Sequence, residues 1–570
     1  MGLALLAAFP ARPGAAESRD ASLATIREGA AERRLLARPP GEGPAAVLAA
    51  AAGLDSFPAS CATPLLLEFK AGEGTPEALR QACATVAARP TFVDERTIVT
   101  RDGRFVVHYP GPGGADGPVG GDRNHNGVPD LVDRVSESLT AARSAIVSSM
   151  GFPEPAPASP PLDVFVARLG FGLEGLTVPA REPEAGAAFV LLDAGIPSDR
   201  VLDAVLHQVA HASLMTMAPR GTSTWWAEAS ASFLTVAAGG DLEGYAAAIR
   251  SRQQSPGRAL TSDGLLLMQG SLLWPMFLAE RLGDPGAIRQ IWEDMSAQGI
   301  DALAATDRVL RRSAGLSLQD AFREEAAWDL FTGSRDDGRH YRIGTALPEA
   351  TLATLGPALP FSLAPVEPIE PLGSVAFRIP SDNREGSLRL EILADGGRPA
   401  ADILVTYRAS GDRPVLVTVP IDERGTGTVA LPWKDAREAW LILRNAASEP
   451  GSAPARFEVR GSHDPFAPYD LAAFTTQVVG PTIVLEWTTA SEEGLVSWNV
   501  YRADAPSGPF VRLNGVALPA YGDATAETGY VYVDERPVRG TRHYYLLEGI
   551  TRAGLVQRSH FVSGRIPPGR

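Results

Sequence analysis

Lysine is almost missing from this chain of 570 residues: only Lys70 and Lys434 stand among its 52 basic side chains, the rest being arginine. Asp and Glu number 67, so the net charge is −15. That balance argues against a nucleic-acid surface and against adhesion to anionic lipid. With abundant Ala, Gly and Pro, the arginines read as coding bias rather than as a binding adaptation. Long apolar runs are also missing, and no stretch reaches the length of a membrane-spanning helix. Cysteine is scarce, with only Cys61 and Cys83. A close pair in an exported chain predicts one disulfide, stabilising by about 3 kcal/mol through loop closure. In a cytosolic chain the same pair would be two free buried thiols. The start, MGLALLAAFPARPGAAES, has a short apolar run and then small residues, but no positive charge ahead of the run. Residues 1–20 therefore read as a weak or truncated signal peptide, or else as a buried N-terminal helix. The first reading places the chain outside the cell or on its surface.

A chain of this length exceeds one hydrophobic core, and three to four domains are expected. Residues 21–95 read as a helical N-terminal or pro-like region without evident chemistry. From Gly103 the pattern sharpens. RFVVHYP alternates as a strand, and a glycine-rich turn leads into DRNHNGVPDLVD. Asp122, Asn124, Asn126, Asp130 and Asp133 fall at positions 1, 3, 5, 9 and 12 of a calcium loop, with Val128 offering its carbonyl at position 7. Oxygen donors at alternate positions suit a hard cation, and Gly127 permits the sharp turn. The competing reading is an Asx-rich turn that caps the next helix without any ion. That helix is marked by Leu131, Val132, Val135, Leu139 and Ile146 at helical spacing. LDVFVARL and AFVLLDAG follow as strand candidates.

The stretch VLDAVLHQVAHASLMTMAPRGTSTWWAEASASF, Val201 to Phe233, carries the strongest signal. His207 and His211 lie one helical turn apart and project from one face. Two such nitrogens can meet one divalent metal at roughly 2.0–2.1 Å. Glu228, on a second helical stretch beyond Pro219 and Gly221, supplies a candidate third ligand. Ordinary packing of two core histidines is the alternative. HxxxH followed by Glu resembles the zinc metallopeptidases of the gluzincin type, whose motif reads H-E-x-x-H with the Glu as general base. Here that position is Gln208, and an amide cannot take a proton near neutral pH.

Taken in order, FVVHYP, DRNHNGVPDLVD, HQVAH and WWAEASASF resemble a family of secreted bacterial metallopeptidases over residues 96–345. The resemblance implies a zincin-like α+β domain in which His207, His211 and Glu228 hold Zn2+ and the loop from Asp122 to Asp133 holds Ca2+. Gln208 breaks the pattern where catalysis is concerned.

Residues 346–373 read as a Pro-rich linker. Regularly spaced alternating runs over 374–462 predict a β-sandwich. Residues 468–566, with Trp487, WNVYR and the pair Tyr544 and Tyr545, resemble a fibronectin type III module. The expected fold class is thus multidomain, α+β and all-β: a zincin-like domain followed by two β-sandwich domains.

Three functions remain open. The first is a zinc-binding pseudopeptidase that binds a peptide or protein. The second is an active peptidase with a relocated base, Asp203 being the nearest spare carboxylate. The third is a structural or adhesive protein whose β-sandwiches bind a cell-surface partner or extracellular polymer.

Overall fold

The computed structural model describes residues 61–70 and most of 84–568; outside the description lie 1–60, 71–83, 112–120, 156–160, 181–185, 219–222 and several shorter stretches of the C-terminal half. The expected signal peptide, most of the N-terminal region and Cys83 fall outside it. Two compact units emerge, one of helices and sheet ending at Ala350, the other of sheets from Thr351 onward with Pro256–Ala259. Among the described residues no helix is long and apolar enough to cross a membrane.

The first unit is built on a five-stranded mixed sheet of β1 (Glu95–Val99), β2 (Phe105–Pro110), β3 (Leu162–Ala167), β4 (Gly175–Pro179) and β5 (Ala187–Asp193), in the order β1-β2-β3-β5-β4. β2, β3 and β5 run parallel, while β1 and β4 pair antiparallel at the two edges. The parallel step from β2 to β3 needs a crossover, and helix α2 (Asp130–Arg143), numbered after α1 (Thr63–Lys70), lies within it. The near-continuous apolar runs of β3 and β5 fit strands covered on both faces. β1 and β4 were not evident in the sequence, because ERTIV and GLTVP are short and the latter is bounded by Gly and Pro.

Helix α3 (Val201–Met215) carries the HxxxH pair. It packs against β4, β5, α2 and α4 (Thr224–Ala237). Apart from Leu202 every residue of α3 is buried, so it is a central helix rather than a half-buried amphipathic one. Residues buried on all sides need no polar stripe. Each fully buried Leu, such as Leu206 or Leu214, contributes about 1.5–3 kcal/mol by leaving water. Among the described residues six more α-helices follow: α5 (Ala246–Gln254), α6 (Leu265–Gly270), α7 (Leu273–Leu282), α8 (Ala287–Gln298), α9 (Ala302–Ala314) and α10 (Leu318–Trp328). Helices α7, α8 and α9 each stop at a glycine in the left-handed conformation, Gly283, Gly299 and Gly315, where a side chain would be strained.

The second unit has two hydrophobic cores. One gathers Ile403, Val405, Val415, Val417, Leu441 and Trp433, and the other Trp487, Trp498, Tyr530 and Tyr545. Strands such as Pro414–Val419, whose burial alternates residue by residue, supply the inward faces. The two cores are not served by separate sheets. The strand Thr426–Pro432 pairs in parallel with Val556–Arg558, through Val429↔Val556 and Ala430↔Gln557, joining both sets into one ten-stranded sheet. The stretch expected as a linker contributes Ala353–Thr354 and Phe361–Leu363 as short edge strands.

Candidate metal centre

Four buried side chains converge in the first unit: Cys61, His207, His211 and Glu228, with one donor atom of each lying within 4.8 Å of all the others. Helix α3 presents the two imidazoles, one turn apart, with ring centroids 4.7 Å apart. Their Nε2 atoms are 3.1 Å apart. Helix α4 brings Glu228 so that Oε1 is 3.3 Å from His207 Nε2 and Oε2 is 3.0 Å from His211 Nε2. The three expected ligands therefore meet at one point, together with Gln208 beside them.

Cys61 was not expected there. Its sulfur is 3.7 Å from His211 Nε2. It is a free, buried cysteine, and its expected disulfide partner, Cys83, lies outside the described residues. The thiol is engaged across the fold, beside His211. Cys61 makes a bridge to Gly175 at the start of edge strand β4, and α1 then packs on β4 and α4. Gly175 has no room for a side chain: an added Cβ would stand 2.9 Å from the Leu191 carbonyl and 3.1 Å from Gln208 Cγ.

A tetrahedral zinc with metal–N and metal–O bonds of 2.0–2.1 Å and a metal–S bond of 2.3 Å has edges of about 3.3 Å between N or O donors and about 3.6 Å from N to S. The 3.1 Å between the two imidazole nitrogens and the 3.7 Å from His211 Nε2 to the sulfur are close to those edges, while Glu228 reaches His207 with one carboxylate oxygen and His211 with the other, at 3.3 and 3.0 Å. Charge balance admits such an ion. Two anions, a thiolate and a carboxylate, buried together need two positive charges. Two imidazolium protons or one divalent cation with neutral imidazoles would each supply them. The residues fit a zinc-type ion in donor chemistry, number and spacing.

The electrostatics follow from this crowding. Burial and Glu228 push the Cys61 thiol up, but His207 and His211 outweigh them and bring it down to about 6. Burial alone would raise Glu228, yet the same two imidazoles hold it far below the usual carboxylate range. His207 is disfavoured as a cation by burial, but Tyr245, Glu228 and Cys61 hold it well above the ordinary histidine value. His211 is raised as well: burial works against its charge, and Cys61 and Glu228 prevail.

Second partners orient the donors. With Nε2 turned to the centre, His207 Nδ1–H donates to the Tyr245 hydroxyl at 3.0 Å. Gln269 Nε2 donates to Glu228 Oε1 at 2.9 Å. Neither residue belongs to a sequence motif, so only the fold reveals them. Gln208 Oε1 accepts from the Thr177 hydroxyl at 2.8 Å, and its Nε2 donates to the Cys61 sulfur at 3.4 Å. Asp203 is turned elsewhere: its carboxylate accepts from Arg200 at 3.0 Å and from the Asp241 backbone N–H at 2.9 Å. Arg200 also reaches Glu174, and this polar group borders a small cavity beside His207.

The residues of the expected calcium loop lie together at the start of α2, Asp130 and Asp133 within its first turn. Asp122 accepts from the Asn126 and Gly127 backbone N–H groups, at 3.0 and 2.8 Å. Asp133 accepts from the Asn124 and Asn126 side-chain amides at 3.0 and 2.8 Å. Asp130 accepts from the Arg123 N–H at 3.0 Å, and the Val128 N–H donates to Asn126 Oδ1 at 2.7 Å. These are the bonds of an Asx-rich turn. Asn124 and Asn126 each carry an oxygen as well as the donating nitrogen, so the same loop holds oxygen donors for a cation.

No family model matches the chain, and no curated protein matches it. Solved structures do. An Fn3-like protein from Clostridium thermocellum is 20% identical, with 18% of this chain and 97% of that one covered and a TM-score of 0.14. A pectate lyase from Pectobacterium carotovorum is 15% identical, covering 16% of this chain and 26% of its own, with a TM-score of 0.14. A β-D-glucuronidase from Dictyoglomus thermophilum is 10% identical, covering 34% and 36%, with a TM-score of 0.13. The chain thus spans about a quarter of the length of that pectate lyase. At such scores none of these bears on activity.

Proposed function

We propose that the first unit is a zincin-like domain that binds zinc through His207, His211 and Glu228 and does not hydrolyse peptides, and that the chain is a secreted binding protein for a peptide, protein or surface polymer. The observation that carries this reading is Gln208. It occupies the general-base position, and its amide is spent on Thr177 and Cys61. An amide cannot deprotonate a water, and Asp203 is held by Arg200 and the Asp241 N–H. A bound zinc would supply Lewis acidity and a lowered water pKa where a position is open. His207 and His211 would be held in orientation by Tyr245 and their helix, and Glu228 by Gln269. The same reading places calcium in the loop from Asp122 to Asp133, holding the entry to α2.

The test is hydrolysis of casein and of a peptide library by the zinc-loaded full chain, with and without a chelator. No cleavage above background is expected. Chelator-sensitive cleavage by the natural chain would overturn the reading and favour an active peptidase with another base.

A further inference from the structure

We propose that Cys61 is the fourth protein ligand of this metal centre and that Gln208 is a positioning residue for its sulfur, so that the chain itself closes the coordination position a hydrolytic zinc would leave open to water. The inference rests on the three-ligand reading above and goes beyond it.

Three independent features support it. The sulfur converges on the same point as the other donors: it stands 3.7 Å from His211 Nε2 and within 4.8 Å of the donors of His207 and Glu228. The sulfur is also furnished as a metal-bound thiolate requires, since thiolates accept hydrogen bonds from nearby N–H groups. The Thr63 backbone N–H and the Gln208 Nε2–H both donate to it, each at 3.4 Å. Thr63 is itself fixed, its hydroxyl accepting the Thr177 N–H at 2.8 Å and lying 3.4 Å from Gln208 Oε1. Finally, the segment carrying the sulfur lies along the free edge of β4, bridging Gly175 in parallel. An edge strand is where an extended peptide would add to the sheet. Cys61 and Thr63 are fully buried there, so the centre is covered by this chain's own backbone.

Gln208 gains a purpose in this arrangement. A carboxylate in its place would face the sulfur with no proton to offer, whereas the amide donates one. The amide and the thiolate are complementary. Coordination through the sulfur and both Nε2 atoms would displace whatever protons those atoms carry and release them to solvent.

Cobalt(II) substitution of the full chain tests this, with Cys83→Ser introduced so that Cys61 is the sole thiol. One cobalt per chain is expected, with a thiolate-to-cobalt charge-transfer band in the near ultraviolet and intense visible bands of tetrahedral cobalt. Cys61→Ala and the milder Cys61→Ser should still take up one cobalt but lose the charge-transfer band. Acetohydroxamate should perturb the visible bands of Cys61→Ala and leave those of the parent unchanged. Gln208→Ala should keep the band while weakening cobalt affinity about 10–100-fold, as loss of a ligand's hydrogen-bond partner does. One bound cobalt without the band, or a band that survives in Cys61→Ala, overturns the fourth-ligand assignment and leaves the three-ligand reading standing. No stoichiometric cobalt, or uptake undiminished in His211→Ala, overturns both.

Discussion

Restoring the missing base should damage the protein rather than awaken it. Gln208 is 2% exposed and makes two kinds of bond, accepting from Thr177 at 2.8 Å and donating to the Cys61 sulfur at 3.4 Å. Gln208→Glu keeps the acceptor and replaces the donor by a second carboxylate oxygen facing the thiolate. Loss of one hydrogen bond costs about 1 kcal/mol. Cys61 and Glu228 already set two acidic groups against His207 and His211 in this buried cluster, so the new carboxylate is a further buried charge without a counter-ion of its own. That adds about 2–3 kcal/mol. In the chelated chain the sum is roughly 3–4 kcal/mol, or about 4–6 °C in the melting temperature of a unit this large. The assay is thermal unfolding of chelated wild type, Gln208→Glu and Gln208→Ala, followed by tryptophan fluorescence. Gln208→Glu should melt below Gln208→Ala, which loses the bond without adding a charge. It should also cleave no peptide, because Cys61 fills the fourth position; only Cys61→Ala combined with Gln208→Glu would leave room for water. A Gln208→Glu chain that melts at or above the wild type, or that cleaves casein in a chelator-sensitive way, would refute this reasoning.

Other expectations concern neighbouring parts of the first unit. Tyr245→Phe removes the partner of His207 Nδ1–H and should weaken zinc binding about 10–100-fold, measured by competition with a chromogenic chelator; unchanged affinity would deny the tyrosine an orienting role. In the loop ahead of α2, calcium at a hundredfold excess over its dissociation constant should stabilise by about 2.7 kcal/mol. Asp133→Ala should abolish that gain, whereas a bare Asx turn would show no calcium dependence in either chain. Glu325 and Asp329, one helical turn apart, form an acidic pair, with the Tyr341 hydroxyl donating to Asp329 at 2.7 Å. Burial raises Asp329 to about 6, and burial and Asp329 raise Glu325 well above its ordinary value. A carboxyl raised on folding stabilises fully below its unfolded value, near 4, and that stability is lost as pH rises through about 6. Asp329→Asn should therefore flatten the fall in melting temperature between pH 4 and 7 and gain about 2–3 kcal/mol at pH 7. An unchanged pH profile would contradict the assignment.

The legible part of this molecule is the part written in local periodicity. His207 and His211 share a helical face because of the four-residue step, and Glu228 returns to them because α4 follows α3 after a short connection. Strands β2, β3 and β5 were marked by their apolar runs. Cys61 was not legible, since it sits 150 residues from His211 and nothing local announces the contact. Its one visible relation in the sequence was to Cys83, whereas in the fold its thiol is free and faces His211. Tyr245 and Gln269 escaped for the same reason, as single polar residues recruited from a 3-10 turn and from α6. Gln208 was visible but only as a loss. Its bond to the sulfur turns it into a residue with its own task, which no motif comparison could state. In the second unit, alternation marked the strands but not their partners, so the sheet joining both cores through Val429 and Val556 could not be foreseen.

Whether the four converging side chains hold a metal ion decides what the first unit can do. Elemental analysis of the purified full chain, dialysed against metal-free buffer, measures this directly alongside His211→Ala. The arrangement of His207, His211, Glu228 and Cys61 predicts about one zinc per chain in the wild type and its loss in the variant. A wild type that carries no zinc and takes none up on incubation, or a variant that retains it, would contradict the account and leave a buried hydrogen-bonded cluster without a metal.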